Sequence, residues 1–194
     1  MREASIERFT KETQIKMKLC LDGTGNTNLF TGIGFFDHML EGFARHGLFD
    51  LSLRVSGDLK VDDHHTIEDT GIVLGKAILE AVGDKKGIRR YGHFILPMDE
   101  VLVLAAVDLC GRPCFSWDAV FPTEKIGEMS SEMVREFFYA VSYAGAMNLH
   151  VKVLTPGNSH HMAEAIFKCF SKALSQAVSL DPRITDVLST KGSL

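Results

Sequence analysis

The chain has few of the features that mark a membrane, secreted or nucleic-acid-binding protein. Its longest wholly apolar run is the seven residues from Val101 to Val107, whereas a membrane-spanning helix needs roughly 18. Lys and Arg number 21 against 25 Asp and Glu, so no basic surplus is present for nucleic acid. The N-terminus mixes charges where a signal peptide would be apolar. We therefore expect a cytoplasmic protein that binds neither a membrane nor nucleic acid.

Cysteine and linker sequences are also scarce. Four cysteines are spread over separate segments, which is typical of intracellular thiols rather than of a disulfide framework. No Pro/Ser-rich segment divides the 194 residues, and the hydrophobic (45%) and charged (24%) fractions are those of a folded globular chain. Histidine stands out, because four of the eight histidines form two His-His doublets.

The two doublets belong to an internal repeat. The pentad His-His-Thr-Ile-Glu at residues 64–68 recurs as His-His-Met-Ala-Glu at residues 160–164, which is 96 positions later. Further matches upstream and downstream occur in the same order, so we favour a duplication over convergent helix patterning. The sequence therefore predicts a single domain over residues 1–194, built from repeat 1 (1–86) and repeat 2 (87–194).

Hydrophobic periodicity gives both repeats the same order of elements. Alternating apolar residues predict strands over 14–22, 50–55, 101–109 and 148–154. Turn residues predict further short strands over 28–32 and 113–120, the first of them in a hairpin with 14–22. Helical spacing predicts helices over 35–46, 64–82, 131–144 and 163–180.

Each predicted strand has one apolar face and each predicted helix one apolar stripe, and these surfaces are buried most simply when they pack on each other. We predict an α+β fold of two tandem β-β-α-β-α repeats, with mixed sheets and helices packed on one face. The polar tail, residues 181–194, is predicted from composition alone to fray.

The two pentads predict metal binding. On a helix, side chains four positions apart lie about 40° apart, so the first His and the Glu of a pentad can bind one ion. The second His points about 100° away and suits a second ion. The six candidate ligands are His64, His65, Glu68, His160, His161 and Glu164. They suit Zn, Fe, Ni or Mn, and spacing does not choose among these.

Two further residues are candidate ligands because the repeat relates them. His38 lies on the first predicted helix, and Glu136 lies at the equivalent point of repeat 2, 98 positions later. A structural alternative is that the doublets cap helix N-termini beside Asp62 and Asp63. His93 and His150 are assigned structural roles on sequence grounds.

At these residues the sequence resembles the imidazoleglycerol-phosphate dehydratase family, over essentially its whole length. The motifs include Gly-Phe-Phe-Asp-His-Met at 34–39, Asp-Asp-His-His-Thr-Ile-Glu-Asp at 62–69, Asn-Ser-His-His-x-x-Glu at 158–164 and Ser-Thr-Lys-Gly at 189–192. The resemblance implies a hydro-lyase of L-histidine biosynthesis that dehydrates D-erythro-imidazole glycerol phosphate to imidazole acetol phosphate. It also implies two Mn²⁺ ions per site, a diazafulvene-like intermediate formed from a metal-bound imidazolate, and a homo-oligomer of about 24 subunits.

The resemblance also implies a role for each matching position. One ion would take His38, His65, His160 and Glu164. The other would take His64, Glu68, His161 and Glu136, where many relatives carry histidine. Glu12 would be the acid/base residue, while the role of Asp99, its counterpart in repeat 2, stays open. The implied substrate contacts are Glu12, His38, His46, His64, Glu68, Arg90, Arg112, His160, Lys168, Ser189, Thr190 and Lys191, and the tail is then expected to order on substrate binding.

Two other functions remain open at this point. One is a dinuclear metal hydrolase, for which pairs of imidazole ligands also serve. The other is a structural metal site that holds subunits together.

Overall fold

The computed structural model describes all 194 residues, with ten strands and four helices. The elements of the first half are β1 (Glu3–Phe9), β2 (Thr13–Cys20), β3 (Thr27–Phe30), α1 (Gly34–Gly47), β4 (Asp50–Gly57) and α2 (His64–Val82). The elements of the second half are β5 (Tyr91–Met98), β6 (Val101–Asp108), β7 (Cys114–Asp118), β8 (Lys125–Ile126), β9 (Met129–Ser130), α3 (Glu132–Ala144), β10 (Asn148–Thr155) and α4 (Ser159–Val178).

The two halves form mixed sheets of the same topology. The strand orders are β1-β2-β4-β3 and β5-β6-β10-β7, and β8 and β9 form a separate two-stranded ribbon. In each four-stranded sheet the last strand pairs parallel and the other pairs are antiparallel. The predicted α+β class and its repeated β-β-α-β-α order are confirmed, with one further strand, β1 or β5, at the start of each half.

One predicted pairing is wrong. Strand β3 does not form a hairpin with β2 but pairs parallel with the far side of β4, starting with Thr27 opposite Leu51. Strand β4 takes the place beside β2 because the two strands pair over eight residues and bury alternate apolar side chains against the helices. Strand β3 has four residues, of which only Leu29 is partly buried, so it occupies the edge.

The four helices lie between the two sheets. Helices α1 and α2 cover one face of the first sheet, and α3 and α4 cover one face of the second. Across the middle, α2 packs on α3 and α1 packs on α4. A single apolar core of 49 buried residues runs through both halves. Because α1 and α4 come from different repeats, their contact brings together side chains that are far apart in the sequence.

Two glycines in α2 allow the close packing of α2 on α3. A Cβ atom at Gly71 would lie 2.7 Å from the carbonyl oxygen of Phe137, and one at Gly75 would lie 2.6 Å from that of Val141. Both distances are too short for a methyl group, so glycine at these positions sets the separation of the helices.

Two further properties bear on the composition argument. None of the four helices combines the length and apolar composition needed to cross a bilayer. All four cysteines are free thiols, and only Cys114 is exposed.

Candidate active site

Both His-His doublets lie in the first turn of a helix. Asn158 caps α4, where its side chain accepts hydrogen bonds from the backbone N–H groups of His160 (2.8 Å) and His161 (3.4 Å). The N–H of His64, at the start of α2, donates to Asp62 (2.9 Å). Asx side chains therefore satisfy these N–H groups, as is usual at helix N-termini. The capping alternative for the doublets is wrong, and the imidazoles are left for another role.

The contact between α1 and α4 creates a group of three potential metal ligands. The Nε2 atoms of His38 and His160 lie 3.7 and 3.2 Å from Oε2 of Glu164, and one ligand atom from each residue lies within 4.8 Å of the others. The ring of Phe35 packs edge-on against His160 at 5.1 Å between centroids. The group therefore has an apolar wall on one side.

Glu164 is the anionic member of this group. Only 8% of the residue is exposed, and its other oxygen, Oε1, lies 2.7 Å from Nζ of Lys168. Burial by itself raises the pKa of Glu164, but the hydrogen bond and charge of Lys168 outweigh it and hold the pKa below its usual value. Glu164 is therefore ionised near neutral pH and can bind a cation.

The corresponding group of the first repeat is less complete. Nε2 of His64 lies 3.8 Å from Oε2 of Glu68, one turn along α2. Glu136 lies on α3, which packs against α2, but its Oε1 accepts a hydrogen bond from Arg135 at 2.6 Å. Its carboxylate does not join His64 and Glu68 in a three-residue ligand group.

The second histidine of each doublet points away from these groups and pairs with carboxylates. Nδ1 of His65 donates to Asp58 (3.0 Å), and Nδ1 of His161 donates to Glu100 (2.9 Å). The hydrogen bond with its carboxylate raises the pKa of each histidine. Neither histidine lies in the group formed by His38, so the ligand sets implied by the resemblance are not assembled within one chain.

Asp58 and Glu100 received no role from the sequence. Glu100 directly follows Asp99, the counterpart of Glu12 in repeat 2, so a signal near it existed. Asp58 follows β4 in an ordinary loop and had no such signal. Its contact with His65 depends on how the loop folds back on α2, which periodicity does not describe.

Two candidates for substrate contact lie near the candidate metal ligands, Glu12 near His65 and His46 near Lys168 and Glu164. Glu12 is exposed on the turn between β1 and β2, with Oε1 at 3.8 Å from Nε2 of His65. His46 lies in the last turn of α1, where burial, followed by the positive charges of Lys168 and Lys172, lowers its pKa.

The candidate phosphate contacts lie near the C-terminal segment. Arg90 donates from Nε and Nη2 to Asp108 (2.7 and 3.1 Å) and from Nη1 to the carbonyl oxygen of Leu188 (2.9 Å). Arg112 is exposed on the loop between β6 and β7. Ser189, Thr190 and Lys191 follow directly after the residue that Arg90 contacts.

The tail is better anchored than its composition predicts. Val187 forms a bridge with Lys86, and Leu180 forms one with Ile88, so the polar segment pairs with the chain that joins the two halves. The prediction of a frayed tail is wrong as far as Leu188, because backbone hydrogen bonds and Arg90 hold it.

The donor set fits a divalent metal ion. Imidazole nitrogens and a carboxylate oxygen converge at His38, His160 and Glu164, while the ammonium group of Lys168 contacts the far carboxylate oxygen. Imidazole and carboxylate ligands suit several first-row metals, so the chemistry of the donors does not select Mn²⁺.

Comparisons with known proteins all give one family. The sequence profile of the imidazoleglycerol-phosphate dehydratase family matches residues 31–174. The enzyme of that name from Lachnoclostridium phytofermentans is 58% identical over 100% of this chain and 98% of its own length. The one from Cereibacter sphaeroides is 55% identical over the full length of both.

Solved structures show the same fold. The crystal structure of imidazoleglycerol-phosphate dehydratase from Staphylococcus aureus has a TM-score of 0.84 at 38% identity, covering 92% of this chain and 99% of that one. The enzyme from Pyrococcus furiosus has a TM-score of 0.83 at 32% identity, covering 97% and 100%. The chain therefore belongs to the imidazoleglycerol-phosphate dehydratase family of hydro-lyases in histidine biosynthesis.

Proposed function

We propose that this protein converts D-erythro-imidazole glycerol phosphate to imidazole acetol phosphate and that it needs two Mn²⁺ ions per site. The observation that carries the proposal is the convergence of His38, His160 and Glu164, whose ligand atoms lie within 4.8 Å of one another. Three protein ligands leave coordination positions open for a substrate that itself carries an imidazole ring.

The candidate ligands are divided between two proposed metal sites. His38, His160 and Glu164 hold one ion together with His65, and His64, Glu68 and Glu136 hold the other together with His161. When bound, the ions act as Lewis acids that orient the substrate ring and favour loss of its hydroxyl group. The hydrogen bond and charge of Lys168 keep Glu164 ionised despite its burial, so the first set carries a negative charge.

A second copy of the chain supplies the missing ligands in this proposal. His65 and His161 are held by Asp58 and Glu100, outside the group that contains His38. Their side chains remain about one-third exposed and are free to face another subunit. This exposure supports a homo-oligomer, which we propose has about 24 subunits and is cytoplasmic. Each subunit is proposed to be a single domain of the repeats 1–86 and 87–194.

Glu12 is the proposed acid/base residue. Dehydration removes a proton from one carbon and a hydroxyl group from its neighbour, so it needs a group that accepts and then returns a proton. Glu12 is exposed on a turn and lies 3.8 Å from Nε2 of His65, the nitrogen proposed as a metal ligand. This distance supports a role for Glu12 beside the proposed metal site, as a proton-transfer group and not as a ligand.

Cations near the C-terminal segment are proposed to bind the substrate phosphate. Arg90 donates to the carbonyl oxygen of Leu188, the residue that directly precedes Ser189, Thr190 and Lys191, and this supports a phosphate site at the tail. Arg112, Thr190 and Lys168 complete the proposed set, since phosphate oxygens are bound best by charged donors and hydroxyl groups.

The proposal is tested by turnover. Purified protein is stripped with a chelator, reloaded with Mn²⁺ and incubated with imidazole glycerol phosphate, while the ketone product is followed by absorbance in base. Product formed only after Mn²⁺ is restored is the expected result. No product from the reloaded, intact oligomer would overturn the dehydratase assignment, and phosphate release instead would favour a hydrolase. Dissociation on chelation without any turnover would favour a purely structural site.

A further inference from the structure

The second histidines of the doublets share an arrangement that metal ligation alone does not explain. In each ring, Nδ1 is hydrogen-bonded to a carboxylate at 3.0 Å (His65) or 2.9 Å (His161). In each ring, Nε2 has a carboxylate at 3.8 or 3.7 Å, which is beyond hydrogen-bond reach. Nδ1 of each ring is therefore held by a hydrogen bond, whereas Nε2 has no carboxylate within hydrogen-bond distance.

The two carboxylates that bind Nδ1, those of Asp58 and Glu100, do not occupy equivalent positions in the two repeats. Asp58 follows the end of β4, whereas Glu100 lies in the turn between β5 and β6. They differ in type and in place, yet each meets the same ring nitrogen. Duplication alone would give matching residues, so a shared requirement at Nδ1 explains the arrangement better.

Each carboxylate is held in place beside its histidine. Oε2 of Glu100 accepts from His161, and its Oε1 accepts from the N–H of Asn158 at 2.7 Å, which ties it to the cap of α4. A Cβ at residue 157 would lie 2.3 Å from Oε1, so Gly157 makes room for Glu100. For Asp58, Oδ1 is buried without a hydrogen-bond partner, and His65 is the donor to Oδ2.

From this geometry we infer that Asp58 and Glu100 are positioning residues that hold His65 and His161 with Nδ1 as donor and Nε2 as metal ligand. The inference rests on the proposed function, because it takes both histidines to be ligands. A metal-binding histidine usually donates its other N–H to a carboxylate or carbonyl, which fixes the ring and its tautomer. In this role Asp58 and Glu100 act through the histidines and are not themselves ligands.

The expected effect is on metal affinity. Loss of such a partner typically weakens metal binding about 10- to 100-fold. We expect Asp58→Ala and Glu100→Ala to do so, with a smaller loss for Asp58→Asn and Glu100→Gln because an amide oxygen still accepts from Nδ1. Affinity is measured as free Mn²⁺ by electron paramagnetic resonance in titrations of the full-length protein. The matched control is Glu7→Ala, which removes a carboxylate that pairs only with Lys16 on β2.

A double-mutant cycle separates positioning from a general structural role. If Asp58 acts through His65, adding Asp58→Ala to a His65→Ala variant changes Mn²⁺ affinity by less than about twofold. Equal losses in both backgrounds would overturn the inference, as would an unchanged affinity in the folded single variant. Circular dichroism shows that each variant is folded, and the Asn and Gln variants carry the test if the Ala variants are not.

The two proposals fail in different ways. If the wild-type protein binds Mn²⁺ and forms the ketone but the double-mutant cycle is additive, only the positioning role is overturned. If the wild-type protein binds Mn²⁺ but forms no ketone, the dehydratase assignment is overturned. A non-additive cycle would still support the positioning role in that case.

Discussion

Gly71 of α2 lies directly against the carbonyl oxygen of Phe137 of α3, so closely that a Cβ atom would come within 2.7 Å of that oxygen. At this point the helix that carries His64 and Glu68 approaches the backbone of the helix that carries Glu136. This contact limits how closely α2 and α3 can approach each other.

Gly71→Ala is expected to destabilise the fold. The added methyl group has to push α3 away from α2, and overpacking of this kind costs about 1–3 kcal/mol in the free energy of unfolding. Denaturant unfolding measures the loss, and Gly34→Ala is the control because a Cβ there meets no atom within 4 Å. Equal stability of the two variants would contradict the proposed limit on helix separation.

Glu12→Gln is expected to retain metal and substrate binding and to lose turnover. Glutamine has the shape of glutamate but cannot accept a proton, and general acid/base groups contribute about 10²- to 10⁴-fold to rate. Steady-state turnover is compared with Mn²⁺ content for the variant and wild type. Turnover within about threefold of wild type would remove Glu12 from the proton-transfer role.

Glu136→Ala is expected to lower the occupancy of one of the two proposed metal ions. In this chain Oε1 of Glu136 pairs with Arg135, which leaves Oε2 as the oxygen available to a metal ion. Metal analysis gives the number of bound ions per chain, and Glu132→Ala, an exposed carboxylate one turn earlier on α3, is the control. Unchanged metal content and activity would remove Glu136 from the metal site.

His46 is expected to titrate below its ordinary pKa of 6.5. Burial and the charges of Lys168 and Lys172 favour the neutral ring in the folded state, so the unfolded chain binds this proton more readily. The contribution of His46 to stability is present above the unfolded pKa and is lost as the pH falls.

Hydrogen exchange at the imidazole carbon, followed by mass spectrometry, gives the midpoint for His46. Lys172→Gln is expected to move it upward, since one of the nearby positive charges is removed. A midpoint at or above 6.5 in the wild type would contradict the structural account of this histidine.

The sequence was most informative where the relevant distances are local. An i, i+4 pair on a helix has a fixed geometry, so the spacing of His160 and Glu164 alone predicts that they are neighbours, and they lie 3.2 Å apart. The repeated pentads, the alternating strands and the α+β order follow from periodicity in the same way. The hairpin prediction for β3 failed because the choice between two strand partners depends on the area that each pairing buries.

Only the tertiary structure could place residues from different elements beside one another. His38 meets Glu164 because α1 packs on α4 across the two halves, and Asp58 and Glu100 reach His65 and His161 through loops that carry no periodic signal. By itself the sequence determined that the chain holds two sets of imidazole and carboxylate groups on two similar helices. The tertiary structure decided which groups converge, because contacts between distant elements are set by packing of the shared core.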